Sequence, residues 1–309
     1  MRILVTGGLG YLGSVLVEEL VKEGFQVDVI DISLYGNFLP QDVLEKVNVY
    51  EFDIREPSNL ISGVKNSDIV IHLAAIVGDP ACDILKEKAV FINLDGTKNV
   101  CKLVKKYSKK LIFASTASVY GASKIRKPLS EEDETLPLSI YALSKLAAEE
   151  YIQKELKKFS IFRMATLFGL SPRMRFDLVV NNFCGRAIQE GKITVFGGNQ
   201  YRPFIHVRDA AMFYLKCIEE NEFFGETFNI GGVNLRIGEL ATRIQKIIDC
   251  KVQVLKEIKD PRNYIIDSTK ASEALKFKPK KSIEDAVKEI KTAMEKGNIE
   301  DYRSPIYSN

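Results

Sequence analysis

Cysteine and histidine are scarce in this 309-residue sequence, and their spacing does not suit a metal site. None of the five cysteines belongs to a Cys-x-x-Cys pair, and only two histidines, His72 and His206, are present. Zinc sites usually combine closely spaced cysteine and histidine ligands. The sequence therefore predicts no metal site and, from its unpaired cysteine spacing, a reducing compartment.

Long hydrophobic runs and an excess of charge of one sign are also missing. No apolar run approaches the ~18 residues of a membrane span, and the first apolar segment, Ile3–Val5, is too short for a signal peptide. The 44 basic and 41 acidic residues give a formal net charge of +3. We therefore expect a cytoplasmic protein with no nucleic-acid and no membrane partner.

Short, β-branched apolar runs alternate with amphipathic segments through the first half of the chain. This alternation predicts an α/β fold with a parallel sheet covered on both faces. The expected strands are Ile3–Val5, Val27–Ile30, Val47–Phe52, Ile69–Leu73, Leu111–Ala114 and Ile161–Met164, and the expected helices are Tyr11–Glu23, Lys88–Tyr107 and Ile140–Lys157.

After residue 166 the pattern loosens, and glycine, proline and asparagine become frequent. A strand at Pro203–Val207 and a helix at Arg208–Glu219 indicate a return to the first domain. Further helices are expected at Leu178–Gln189, Ile237–Ile248 and Ile283–Lys296. We expect residues 1–166 plus about 204–228 to form a Rossmann-type, doubly wound domain, and about 167–203 plus 229–309 to form a smaller C-terminal α/β substrate-binding domain.

A glycine-rich turn joins the first expected strand to the first helix. In TGGLGYLG, Gly7, Gly10 and Gly13 allow a sharp turn, close approach to a pyrophosphate and tight packing of helix on sheet. The helix N-terminus then offers N–H groups and a positive dipole to phosphates. The motif predicts a dinucleotide site.

Two carboxylates follow the next strands. Asp31 ends the second strand, where it would bind the adenosine ribose hydroxyls and repel the extra phosphate of NADP, so NAD is favoured. Asp53 follows the third strand and could accept a hydrogen bond from the adenine amino group.

Tyr141 and Lys145 stand at i and i+4 in SIYALSK, within a strongly helical segment. This spacing places both side chains on one helix face. An ammonium beside the phenol favours the phenolate, which can act as a general base. Thr116, at the carboxyl end of the fifth strand, is the expected third catalytic group, holding the substrate oxygen against the cofactor.

With the motifs TGGLGYLG, IDIS, FDIR, HLAA, STASVYG, YALSK and RPFIHVRD in order, the chain resembles the extended short-chain dehydrogenase/reductases, specifically the NAD-dependent epimerase/dehydratase family (UDP-glucose 4-epimerase-like), over essentially its full length. The resemblance implies a set of residues around the cofactor, with Ser115, Tyr141 and Lys145 toward the nicotinamide. That set is Gly7, Gly10, Tyr11, Leu12, Gly13, Asp31, Asp53, Ile54, Leu73, Ala74, Ala75, Asn93, Ser115, Tyr141 and Lys145. In similar enzymes the corresponding long helices pair across a twofold axis, which implies a homodimer.

On the substrate side the resemblance implies that Arg202 and Arg262 bind a nucleotide diphosphate, because guanidinium groups match phosphate oxygens in pairs. Asn182 falls where related epimerases use an asparagine near the phosphates, and Thr116 would contact the sugar. Thr166 stands where those enzymes commonly have asparagine, and the segments 77–83 and 171–175 are also unusual.

The two residues after Thr116 indicate the reaction. Similar 4,6-dehydratases carry Thr-Asp-Glu at this point, and decarboxylating relatives tend to carry a glutamate, whereas this chain has Ala117 and Ser118. The favoured function is therefore a 4-epimerase of the UDP-glucose/UDP-galactose type, working through a transient 4-keto sugar, or an epimerase of another nucleotide-sugar. A nucleotide-sugar reductase, a dehydratase and a non-catalytic NAD-binding scaffold are the alternatives, and Asp31 disfavours the NADPH-preferring reductase.

Overall fold

The computed structural model describes residues 1–121, 127–220, 225–255, 257 and 262–309. Its strands are β1 (Arg2–Thr6), β2 (Gln26–Asp31), β3 (Val47–Glu51), β4 (Ile69–His72), β5 (Lys110–Thr116), β6 (Phe159–Met164), β7 (Thr166–Phe168), β8 (Lys192–Phe196), β9 (Tyr201–His206), β10 (Glu226–Ile230), β11 (Val233–Arg236) and β12 (Lys251–Leu255). Its helices are α1 (Tyr11–Lys22), α2 (Gln41–Leu44), α3 (Pro57–Asn66), α4 (Asp79–Ile84), α5 (Lys86–Val90), α6 (Thr97–Lys106), α7 (Ile140–Glu155), α8 (Val179–Glu190), α9 (Val207–Glu219), α10 (Ile237–Gln245), α11 (Thr269–Ala274) and α12 (Ile283–Glu295).

A seven-stranded parallel sheet in the order β10-β6-β5-β4-β1-β2-β3 forms the centre of the fold. Alternate residues of β1 belong to two apolar clusters on opposite faces: Ile3 and Val5 to one, Leu4 to the other. The doubly wound α/β fold expected from the sequence is therefore confirmed. The strand order reverses beside β1, which lies between β2 and β4. In such sheets ligands bind at the carboxyl ends of the strands where the order reverses.

The second half of the chain adds two small sheets. Strand β9 pairs with β7 and with β11, whereas β8 pairs with β12. The strand expected at Pro203–Val207 thus lies outside the seven-stranded sheet. Helix α9, which follows it, packs against α1, and β10 is the later strand that joins the large sheet beside β6. Local periodicity indicates a strand here without specifying its partner.

The single helix expected at Lys88–Tyr107 is instead interrupted. A π-helical segment, Phe91–Gly96, separates α5 from α6. This wider turn carries Asn93, which bonds the backbone of Ile76, and Gly96, where a Cβ would lie 2.6 Å from Cδ1 of Ile54. Both close approaches depend on neighbouring elements, which helical periodicity does not encode. Among the described residues, no helix combines the length and apolarity needed to cross a bilayer.

Candidate cofactor and substrate site

A cavity of about 730 Å³ opens at the carboxyl ends of the parallel strands. Residues that follow β1 to β5 line one half of it, and residues of α8, β8 and β9 line the other. The cavity therefore lies where the topology of the sheet predicts a ligand.

The glycine-rich turn forms the floor of the first half. Gly7 has φ of +75°, and a Cβ there would lie 2.5 Å from the backbone nitrogen of Ala74. A Cβ at Gly13 would lie 2.2 Å from the carbonyl oxygen of Gly7. Helix α1 begins at Tyr11, and its N-cap, Gly10, has no side chain with which to satisfy the first N–H groups. Backbone and helix terminus are thus arranged to receive an anionic group.

Tyr11 contributes its backbone more than its hydroxyl. The buried hydroxyl donates to the carbonyl oxygen of Gly169 at 2.6 Å and accepts from the amide of Asn181 at 3.1 Å. Burial raises the pKa of Tyr11, so the phenol stays neutral and ties α1 to the chain after β7. Leu12, next to it, lines the cavity.

Asp31 and Asp53 line the cavity at the ends of β2 and β3. The two oxygens of Asp31 accept N–H bonds from Leu9 and Ser33, each at 3.0 Å. Burial raises the pKa of the Asp31 carboxyl, and these N–H groups partly offset the rise. Each oxygen can accept a further bond, as ribose hydroxyls would provide. The carboxylate is therefore fixed in position for a sugar ring.

Asp53 is engaged by Arg55, whose guanidinium lies 2.6 Å from one carboxylate oxygen. The Arg55 hydrogen bonds lower the pKa of the Asp53 carboxyl and occupy much of its accepting capacity. Ile54, between them, is buried and also lines the cavity.

The chain after β4 forms the next wall, with Leu73, Ala74 and Ala75 facing the cavity. Asn93 lies behind this wall. Its side chain bonds both backbone groups of Ile76, at 2.8 and 3.0 Å, and donates to the hydroxyl of Ser144 at 3.2 Å. The structure thus places Asn93 where it positions the wall, and its side chain does not line the cavity.

A buried chain of side chains supports the same wall. Nδ1 of His72 lies 2.6 Å from the hydroxyl of Thr6, and Nε2 lies 2.9 Å from that of Thr97. Because Thr97 donates to the carbonyl of Asn93 at 2.6 Å, Nε2 of His72 must donate and Nδ1 must accept. The imidazole is neutral, and burial lowers the pKa of His72 to about 3.

Tyr141 and Lys145 lie on the face of α7 that borders the cavity. Lys145 is 2% exposed; its ammonium donates to the carbonyl of Ala114 at 2.9 Å and lies 4.7 Å from the ring centroid of Phe113. Burial lowers the pKa of Lys145 to about 8. Lys145 is therefore mostly protonated at neutral pH and loses its proton as the pH rises through about 8.

Thr116 ends β5 and lines the cavity, with its hydroxyl accepting the N–H of Ser118 at 3.1 Å. Ser115, one residue earlier, has its hydroxyl directed to Glu149, which also binds Arg163 at 2.8 Å. The Ser115 hydroxyl is thus engaged by α7, and both Ser115 and Thr116 line the same cavity as Tyr141.

Asn182, Arg202 and Arg262 line the opposite half. The amide of Asn182 donates to the carbonyl of Phe176 at 3.0 Å. Arg202 is buried, bonds the carbonyl oxygen of Arg262, and lies 5.6 Å from the ring centroid of Tyr264. The structure therefore brings both arginines, from separate segments, to one end of the cavity.

Sequence reasoning missed a polar group between the two halves. Arg173, Arg175 and Asp177, from the chain before α8, line the cavity together with Tyr35. Arg175 and Asp177 form an ion pair. The sequence marked this segment only as unusual. Its contact with Tyr35, through Arg173, could not be predicted because the two residues are far apart in sequence.

The comparisons with known proteins agree with this geometry. A model of the "NAD dependent epimerase/dehydratase family" matches residues 3–231. A UDP-N-acetyl-alpha-D-glucosaminuronate decarboxylase of Bacillus cytotoxicus is 30% identical, with 93% of this chain and 96% of that protein covered. A putative UDP-glucose 4-epimerase of Methanocaldococcus jannaschii is 29% identical, covering 96% and 99%.

A solved structure of a UDP-glucose 4-epimerase from Thermotoga maritima, with UDP-glucose, superposes with a TM-score of 0.86. It is 27% identical, and the match covers 96% of this chain and 100% of that one. The glycine cradle and Asp31 fit the adenosine diphosphate half of a dinucleotide. The expected cofactor, NAD, is confirmed, and the chain belongs to the NAD-dependent epimerase/dehydratase family.

Proposed function

We propose that the protein is a nucleotide-sugar epimerase that acts at carbon 4 of a UDP-glucose/UDP-galactose type substrate through a transient 4-keto sugar. The observation that carries the proposal is the meeting of Tyr141, Lys145 and Thr116 at one cavity, with Ala117 and Ser118 following Thr116. A base, its cation and a hydroxyl suffice for removing and returning a proton at one sugar oxygen.

Dehydration of a nucleotide sugar needs an additional acid and base near Thr116. The side chain of Ser118 lies 3.3 Å from the hydroxyl of Tyr264, and Ala117 is buried. Of the cavity carboxylates in the described residues, Asp31 and Asp53 lie at the ends of β2 and β3, and Asp177 is paired with Arg175. This distribution supports epimerisation over dehydration.

Each side chain has a defined part in the proposed reaction. Tyr141, as the phenolate that Lys145 stabilises, takes the proton of the 4-hydroxyl and becomes the neutral phenol, while Thr116 holds the same sugar oxygen. NAD held by the glycine-rich turn and Asp31 would supply the acceptor, and later the donor, of the hydride at carbon 4. The 4-keto sugar then rotates in the cavity and presents its other face, and Tyr141 returns the proton to the sugar oxygen. The reaction therefore has no net oxidation.

The remaining residues are proposed to hold the ligands. Arg202, Arg262 and Asn182 would bind the substrate diphosphate, and residues 1–166 with about 204–228 would form the cofactor domain, with the remaining residues forming the substrate-binding domain. A nucleotide-sugar is the proposed substrate because relatives named for UDP-sugars match nearly the whole chain. A homodimer is proposed because Phe91 and Leu143 are each 53% exposed near the N-terminal end of α7, where Phe91 lies beside Ile140.

Incubation with a panel of nucleotide sugars tests the function. The panel should hold UDP-glucose, UDP-galactose, their N-acetylated forms, UDP-glucuronate and dTDP-glucose, with products separated by anion-exchange chromatography. We expect an equilibrium between two 4-epimers and no net NADH. Four results would each contradict the proposal: release of carbon dioxide, a 4-keto-6-deoxy product, stoichiometric oxidation of NADH, or no turnover of any sugar in the panel.

A further inference from the structure

Arg173 is a buried cation at the edge of the cavity. The residue is 1% exposed, and its guanidinium lies 4.1 Å from the ring centroid of Tyr35. One terminal nitrogen donates to the carbonyl of Ser308 at 2.9 Å, and the other lies 3.5 Å from that of Met174. Its Nε has no hydrogen-bond partner within the part of the chain that the structure describes.

The charge of Arg173 is not balanced by a carboxylate at hydrogen-bonding distance among the described residues. Two other buried arginines, Arg163 and Arg175, each bind a carboxylate directly. Burying a cation without a paired anion is costly, and burial lowers the pKa of Arg173 accordingly. An arginine held in this state is arranged for an anion that arrives from outside the chain.

The surroundings of Arg173 indicate which anion this is. The backbone N–H of Arg173 points to the hydroxyl of Ser14 at 3.5 Å, and the hydroxyls of Ser14 and Ser171 are 3.0 Å apart. Ser171 donates in turn to the carbonyl of Tyr11 at 2.7 Å. These bonds fasten the segment around Arg173 to the first turn of α1, which follows the glycine cradle.

Arg173 acts electrostatically on Asp31, where it offsets part of the rise that burial causes in the pKa of that carboxyl, whereas Arg202 and Arg262 lie in the other half of the cavity. We propose that Arg173 is a diphosphate-binding residue of the cofactor half, supplying the positive charge that the uncharged glycine-rich turn lacks. The ring of Tyr35 and the carbonyl of Ser308 contact the guanidinium and hold it in place.

Binding of nucleotide fragments tests this proposal. Charge-assisted hydrogen bonds are worth about 1.5–3 kcal/mol, so Arg173→Met should weaken ADP roughly 10- to 100-fold. Adenosine, which lacks the diphosphate, should change less than about twofold. Isothermal titration calorimetry on nucleotide-free protein measures both, and increasing salt should weaken ADP binding more steeply in the wild type than in the variant.

Arg173→Gln separates charge from packing, because it keeps a donor for Ser308 and removes the cation. Its ADP affinity should fall about as far as that of Arg173→Met, even if the methionine variant folds poorly. Arg303→Met is the matched control, since Arg303 is an exposed arginine paired with Asp301 near the same C-terminal segment.

Three results would overturn the proposal: unchanged ADP affinity in Arg173→Gln, equal loss for ADP and adenosine, or a loss for UDP with ADP unaffected. The last would assign Arg173 to the substrate diphosphate. The inference rests on the NAD site of the proposed function, yet its test uses no sugar and no turnover. Failure here would therefore leave the epimerase assay unaffected, and failure of that assay would leave the ADP result standing.

Discussion

Replacing His72 by glutamine should make the stability of the protein less dependent on acid pH. The pKa of His72 is about 3 in the folded chain because of burial, against 6.5 for an exposed imidazole. Between these values the unfolded chain binds a proton that the folded chain does not. The neutral imidazole's contribution is thus complete above pH 6.5 and is lost as the pH falls toward 3, at about 1.4 kcal/mol per pH unit. By pH 4 the loss should reach roughly 3 kcal/mol.

Urea unfolding between pH 7 and pH 4, followed by circular dichroism, measures this dependence. His72→Gln should lower the free energy of unfolding at pH 7 and flatten its fall with acid. Thr97→Val is the matched control, because it breaks the same buried chain and keeps the imidazole, so it should destabilise without flattening. An equally steep fall in wild type and His72→Gln would refute the reasoning.

Three further predictions concern the cofactor, the catalytic cation and the assembly. NAD should bind far more tightly than NADP, because Asp31 repels a ribose phosphate; calorimetry that gave similar affinities would count against this role. Lys145→Met should slow the reaction and raise its pH optimum, because Tyr141 loses its neighbouring cation; a pH–rate profile with an unmoved optimum would argue otherwise. Light scattering should give the mass of a dimer for the wild type and for an exposed control variant, Arg303→Met, whereas Phe91→Asp should dissociate the dimer. A wild-type mass of 34.8 kDa at micromolar concentration would exclude the dimer.

Much of the large sheet could be predicted because its strands are short apolar runs between strong helices. The expected runs at β1, β2 and β4 lie within one or two residues of the observed strands. Strands β7, β8, β10, β11 and β12 were missed. They are three to five residues long and mostly lie between glycine-rich turns, so their identity depends on partners distant in sequence.

The site divides in the same way. The position of Gly7, Asp31, Tyr141 and Lys145 at one cavity could be predicted, because each belongs to a local motif whose spacing has a physical meaning. The resemblance places Asn93 around the cofactor, and the structure adds that its side chain bonds the backbone of Ile76. That contact spans two elements, and no local pattern indicates it.

Arg173 and His72 illustrate what packing adds. The sequence marks the segment 171–175 as unusual but does not predict that Arg173 is buried against Tyr35 without a carboxylate at hydrogen-bonding distance. The neutral state of His72 likewise follows from hydroxyls on two other elements, Thr6 and Thr97. Electrostatic surroundings of this kind arise only once the elements have packed.

Single-turnover hydride transfer in Tyr141→Phe tests the central claim most directly. The substitution keeps the ring and removes the group that takes the substrate proton. With the nucleotide-sugar identified by the panel, transient NADH absorbance should appear roughly 10²–10⁴-fold more slowly than in the wild type, since general-base catalysis typically contributes this much. Hydride transfer as fast as in the wild type across the pH range would contradict the assignment of Tyr141 as the base.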